Sequence, residues 1–211
     1  SYARLAEYYY LDNINNKEII KYTYLSGYAM LLTKRLYEKG IRTKYNEVIV
    51  NNIIRDFDFA LFQLIAVEEA DNPYIMGVED NLIMLMYYRK YEEAKLLLDQ
   101  LTDSPDKSNE VYYVGAEFLK KIYMAIIEHD EEKFNRELTI RIKKYRRNMV
   151  GYSTIIDIVS VALIKMAERE GIHCTVDVIE IPRQFFDKTI VIDKNKDKLP
   201  YYDEFLNLGL I

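Results

Sequence analysis

Apolar residues recur every three or four positions along most of this chain. The breaks between the runs carry Asn, Asp, Gly or Pro. That periodicity predicts helices. Residues 1–16 end in the polar, turn-prone cluster Asp12 to Asn16 and are assigned no helix. Asn16 can cap a helix from Lys17 to about Glu38, stopped at Gly40. Its stripe is Ile20, Tyr24, Tyr28, Leu31, Leu32 and Leu36. Gly27 inside the stripe costs helix propensity, which close helix packing would explain. Asn46 can cap the next helix, Glu47 to about Ala70, with Val50, Ile53, Ile54, Phe57, Leu61, Leu64 and Ile65 in register. Phe59 and Phe62 widen its apolar face, so cover on more than one side is expected.

A third helical region spans Val78 to Leu101, with Leu82, Leu85, Met86, Tyr91, Ala94, Leu97 and Leu98 inward and room for a break near Arg89-Lys90. Thr102 to Asn109 is the clearest loop. Ser108 or Asn109 then caps Glu110 to about Glu128, and His129-Asp130 forms a short turn. Glu131 to about Met149 buries Phe134, Leu138, Ile142, Tyr145 and Met149. The most apolar run follows, from Ile155 to Ala167. Its β-branched residues read as strand or helix, and length decides. Ser153 to Glu170 is five turns, with Thr154 and Asp157 as a weak capping box and Gly171 as the stop. Ile172 to Ile181 is expected to be extended, Pro182 to open one helical turn to Lys188, and Asp193 to Lys198 to be a charged, mobile loop.

The expected fold is therefore all-α. It is a multi-helix array of antiparallel helical hairpins around one core, with a short extended or β-like C-terminal piece. One domain over 1–211 is expected, with N-terminal helices at 17–72, a second helical part at 78–187 and a tail at 188–211.

Composition narrows the function classes. A net charge of -5 disfavours wholesale nucleic-acid binding. The single cysteine, Cys174, excludes an internal disulfide framework and suits a reducing compartment. No apolar run reaches a membrane-spanning length of about 18 residues. The start, Ser1-Tyr2-Ala3, has no signal-peptide pattern and no initiator Met. The expectation is a cytoplasmic protein, with room for an upstream piece. Tyr is abundant, 20 residues without one Trp. It reads as amphipathic packing at the core edge, or as a protein-binding face.

Chemistry-bearing patterns are thin. Glu170-x-x-His173 has the spacing of a di-iron helix motif, but it lacks a second copy and Gly171 interrupts it. His173-Cys174 supplies two ligand types without a partner pair, and adjacent residues on an extended chain face opposite ways. No nucleophile elbow, phosphate loop or dinucleotide fingerprint is present. No catalytic, cofactor or metal residue is assigned, and no cofactor is expected.

Charge is segregated. From Asp56 to Asp80 the chain carries Asp56, Asp58, Glu68, Glu69, Asp71, Glu79 and Asp80 with no Lys or Arg. From Lys133 to Arg147 it carries Lys133, Arg136, Arg141, Lys143, Lys144, Arg146 and Arg147 against Glu137. Both stretches read as solvated helix faces. The acidic one also reads as a docking surface for a basic partner, because complementary charge speeds capture.

Residues 110–187 resemble a group of bacterial immunity proteins of polymorphic toxin systems, immunity protein family 49. The resemblance rests on the helix ending at His129-Asp130 and on the basic helix closing in Lys144-Tyr145-Arg146-Arg147. It rests further on Ala162 to Ala167 with its Glu170-Gly171-Ile172 stop, and on Asp177-Val178-Ile179-Glu180 leading into Ile181-Pro182-Arg183-Gln184-Phe185-Phe186. It implies an all-helical, non-catalytic cytoplasmic protein that binds and neutralises the C-terminal domain of a cognate toxin. It transfers no binding residue. The alternative is a helical-hairpin scaffold of the tetratricopeptide type that binds a peptide, although the repeat signature is absent. An enzyme with an unrecognised carboxylate site is a third reading.

Overall fold

The computed structural model describes residues 2–12, 16–38, 40, 53–70, 81–100, 116–148, 155–193, 196–199, 203 and 207. Among them the fold is all-α, with no strand. The chain gathers into two compact units. One is Ser1–Met76 with Arg183–Ile211, and the other is Gly77–Pro182. The C-terminal segment, which the sequence reads as a tail, thus belongs with the N-terminal helices.

The first unit holds α1 (Tyr2–Asp12), α2 (Asn16–Glu38), α3 (Ile53–Ala66) and a 3-10 turn, Arg183–Phe186. α2 packs against α1, α3 and the 3-10 turn. Two of its faces are therefore covered, and Ile19, Ile20, Tyr24, Leu25, Tyr28, Leu31 and Leu32 are all buried. α1 corrects the sequence reading, which assigned no helix there. Tertiary packing selects it: Ala6 is buried, and the Tyr9 ring stacks on Tyr22 of α2 at 5.4 Å.

Gly27 lies where α2 meets α3. A Cβ there would stand 3.1 Å from Ala60 O, Gln63 Cβ and Leu64 Cγ. The close helix contact expected from this glycine is present. Beside it, Gln63 Nε2 donates to Ser26 Oγ at 3.0 Å, inside the interface. Of the charged loop expected from Asp193 to Lys198, residues 194 and 195 lie outside the described residues. Asp193 N–H donates to Asp197 Oδ2 at 3.1 Å, and Asp197 lies 3.5 Å from Lys21 Nζ of α2.

The second unit holds α4 (Leu82–Tyr87), α5 (Tyr91–Gln100), α6 (Ala116–Ile127), α7 (Glu131–Asn148) and α8 (Ile158–Arg169). The break allowed near Arg89-Lys90 separates α4 from α5. α6 and α7 pack as a hairpin, and α6 also meets α8. Ile122, Ala125 and Ile126 of α6 are buried, as are Phe134, Leu138 and Ile142 of α7. Every residue from Ile158 to Ala167 is buried, Ser160 and Lys165 among them, so this helix is covered all round.

α8 starts later than its sequence suggests. Ile155 to Asp157 are not helical, and the cap is Asp157, whose Oδ1 accepts Ser160 N–H at 3.2 Å. A carboxylate at this position satisfies an otherwise orphan donor and faces the positive helix end. Thr154, the expected cap, lies outside the described residues.

Among the described residues, three helix ends carry a non-glycine residue in the left-handed region: Glu68 (φ 60), Arg89 (φ 62) and His129 (φ 53). Each closes a helix through a bond reaching back five residues: Glu69 N–H to Leu64 O, Lys90 N–H to Leu85 O and Asp130 N–H to Ala125 O. Gly171 (φ 77) closes α8 in the same way, with Ile172 N–H on Ala167 O at 3.0 Å. Among the described residues no helix is long and apolar enough to cross a membrane.

Candidate functional site

Of the acidic residues singled out by sequence, Asp56, Asp58, Glu68 and Glu69 fall among the described residues. Asp56 and Asp58 lie on α3, and Asp58 is half-buried. Glu68 is exposed and Glu69 half-buried in the turn that ends α3. A rise of 1.5 Å per residue puts these glutamates about 15 Å along the axis from Asp58. Asp71, Glu79 and Asp80 lie outside the described residues. What remains is a local feature. Glu68 and Glu69 stand at the carbonyl end of α3, where the helix already carries partial negative charge.

The basic run on α7 is not one solvated face, which corrects that reading. Arg141 is 2% exposed. Its guanidinium is paired with Asp157 and donates to Ser160 Oγ at 2.6 Å. Ser160 Oγ in turn donates to Asp157 Oδ2 at 2.8 Å. The burial is tolerated because the two charges neutralise each other and Asp157 accepts three hydrogen bonds, while Arg141 Nε is buried without a hydrogen-bond partner. Tyr145 continues this line by donating its hydroxyl to Ile156 O at 3.2 Å. Arg146 holds Glu180 through both its Nε and its Nη2, the latter at 2.7 Å. That pairing holds the Glu180 carboxyl below the usual carboxylate range. Lys133 pairs with Glu128 at 2.7 Å and Arg136 with Glu137 at 3.3 Å. Lys143 and Lys144 are exposed, and Lys144 Nζ sits 5.0 Å from the centre of the Phe118 ring.

A third cluster was missed by sequence. The C-terminal ends of α4, α6 and α8 converge on Glu170. Arg89 Nε donates to Glu170 Oε1 and Arg89 Nη2 to Arg169 O, each at 2.5 Å. His129 Nδ1 is 3.3 Å from Glu170 O, and its Nε2 is 3.9 Å from Glu170 Oε2. Tyr91 is a third neighbour of Glu170. Burial, and then its hydrogen bond to Glu170, push its phenol well above the usual range, so it remains a donor. The Arg169 guanidinium lies 4.1 Å over the Tyr87 ring. Three carbonyl-rich helix ends in one place concentrate partial negative charge, and Arg89 and Arg169 offset it. The carboxylate is engaged by donors from several sides, which suits a structural clamp better than a nucleophile or base. The sequence signal was the pair of turns at Arg89 and His129, but nothing local connects them with Glu170.

The Glu170-x-x-His173 pair separates. Glu170 turns to Arg89, while His173 starts an extended segment that runs along α7. His173 N–H donates to Glu131 Oε2 at 2.8 Å, Asn135 Nδ2 donates to His173 O at 2.9 Å, and Thr175 N–H donates to Asn135 Oδ1 at 2.8 Å. Two helix side chains thus replace a strand ladder along one edge of this segment. Cys174 is half-buried within it, and burial pushes its thiol up, away from thiolate chemistry.

No family model, no curated protein and no solved structure matches this chain.

Proposed function

We propose that this chain is an immunity protein that binds and neutralises the C-terminal domain of a cognate bacterial toxin, acting by occlusion and without a catalytic step of its own. The reading is carried by the resemblance over residues 110–187. It draws support from the local geometry of that stretch, in which α8 stops at Gly171, an extended piece follows, and Ile181-Pro182 leads into the 3-10 turn at Arg183. A rigid helical body serves such a role, because a preformed surface loses little entropy on binding.

The docking surface proposed is the end of α3 with Glu68 and Glu69. Helix-end charge and carboxylates add there, which favours a basic partner and speeds encounter. Co-expression with the C-terminal domain of a toxin encoded directly upstream tests the reading. Growth should be restored. Reversing Glu68 and Glu69 to Lys should weaken the complex more than tenfold and flatten its salt dependence. An affinity within about twofold of the parent would remove this surface from the proposal.

A further inference from the structure

Seven consecutive residues of α3, Ala60 to Ala66, are buried, and six of them are apolar. The seventh is Gln63, 2% exposed. A primary amide offers two donor protons and a carbonyl acceptor, and leaving a buried polar atom unmet costs more than one hydrogen bond gains. Gln63 Nε2 donates to the Ser26 hydroxyl on α2, itself 7% exposed, at 3.0 Å. Gln63 Oε1 has no partner among the described residues. The Ser26 hydroxyl accepts that one bond, and its own proton has no acceptor among the described residues. Turning the amide over does not help. Oε1 would then take the Ser26 proton, and Nε2 would be stranded in its place.

The α2 residues beside this pair do not supply the missing group. Gly27, next to Ser26, has no side chain, and a Cβ in its place would stand 3.1 Å from Gln63 Cβ. Thr23, one turn before Gly27, gives its hydroxyl proton to Ile19 O at 2.9 Å. The group required is small, neutral, and both donor and acceptor. We propose that a single water molecule is built into the α2–α3 interface, held between Gln63 Oε1 and Ser26 Oγ. The water accepts the Ser26 proton and donates one of its own to Gln63 Oε1. With the bond from Gln63 Nε2 to Ser26 Oγ, this closes a ring of three hydrogen bonds running in one sense, so that each polarises the next. With the amide turned over, the ring closes in the opposite sense. Two bonds to the protein are enough to hold an internal water. The ring lies beside the closest approach of the two helices and fixes their register, because a slide of one residue, about 1.5 Å, would pull its corners apart. The inference is independent of the proposed function.

A high-resolution crystal structure of the full chain tests this directly. One ordered water should lie within about 3.2 Å of both the Gln63 amide and Ser26 Oγ. An amide whose free atom meets only carbon, or another group of the protein, would overturn the proposal. Relaxation dispersion of the water signal, which counts long-lived internal waters in solution, gives a second reading. Gln63→Met keeps the length of the side chain and removes its polar atoms, and Ser26→Ala removes the other corner of the ring. Each variant, shown to be folded by circular dichroism, should hold one long-lived water fewer than the parent. An equal count in a folded variant would contradict the ring. Should neither variant fold, the crystal structure of the parent decides alone.

Discussion

Arg141 of α7 and Asp157 at the head of α8 form an ion pair sealed from water, with side chains 3% and 1% exposed. Asp157 serves three donors at once: the guanidinium, the Ser160 hydroxyl and the Ser160 N–H that opens α8. One carboxylate therefore fixes both the start of the most buried helix and its attachment to α7. Removing either partner strands a buried charge. Asp157→Ala should cost about 3–5 kcal/mol and Arg141→Met nearly as much. The double variant should cost clearly less than the sum. Urea unfolding of the four proteins checks this. Additive losses would mean that the two residues act separately.

Gly27 sets the distance between α2 and α3. Alanine would gain about 1 kcal/mol of helix propensity at this position. Its methyl would meet Ala60 O, a backbone atom that cannot step aside, at 3.1 Å. Packing should win, so Gly27→Ala should lower the unfolding free energy by about 1 kcal/mol, and Gly27→Val by more. A stabilised Gly27→Ala would show that the helices can separate at little cost.

The left-handed helix end at Arg89 sets two effects against each other. Glycine adopts this backbone freely, a relief of about 1 kcal/mol. Arg89→Gly also removes the bonds to Glu170 and Arg169 O, and should on balance lower stability by about 1 kcal/mol. A thermal melt of the variant checks the sign.

How much of this was legible in the sequence depends on the range of the forces involved. Phe134, Leu138, Ile142 and Tyr145 were assigned correctly because a covered helix face prints its own period. Gly27 was legible because glycine inside a stripe has few uses. α1 was not, because its helicity depends on contacts such as Tyr9 on Tyr22 rather than on a pattern of its own. The start of α8 was misplaced because Ile155 and Ile156 are as apolar as the helix they precede. Their exclusion is set by Asp157, whose second role requires knowing where Arg141 lies. Arg89 and Glu170 are 81 residues apart in sequence, and no local rule pairs them. The acidic stretch is visible as composition, but composition carries no geometry: Asp58 lies within α3 and Glu68 in the turn that follows it.

Glu180 gives the protein a specific acid sensitivity. Its hydrogen bonds from Arg146 lower its folded pKa below the unfolded value. Its contribution is therefore fully present above the unfolded carboxylate pKa of about 4.3 and is lost as pH falls through the folded one. Arg146 is half exposed, so solvent keeps the pair to about 1 kcal/mol. Arg146→Gln should narrow the stability difference between pH 6 and pH 3 by about that amount, measured by urea unfolding at both. An unchanged difference would remove the pair from the acid response.

The proposed function stands or falls on capture of a toxin domain. The most direct measurement is titration calorimetry of the full chain against the purified C-terminal domain of the upstream-encoded toxin, paired with growth on co-expression. The account predicts a one-to-one complex of nanomolar strength and restored growth. Growth arrest with no heat of binding would contradict it.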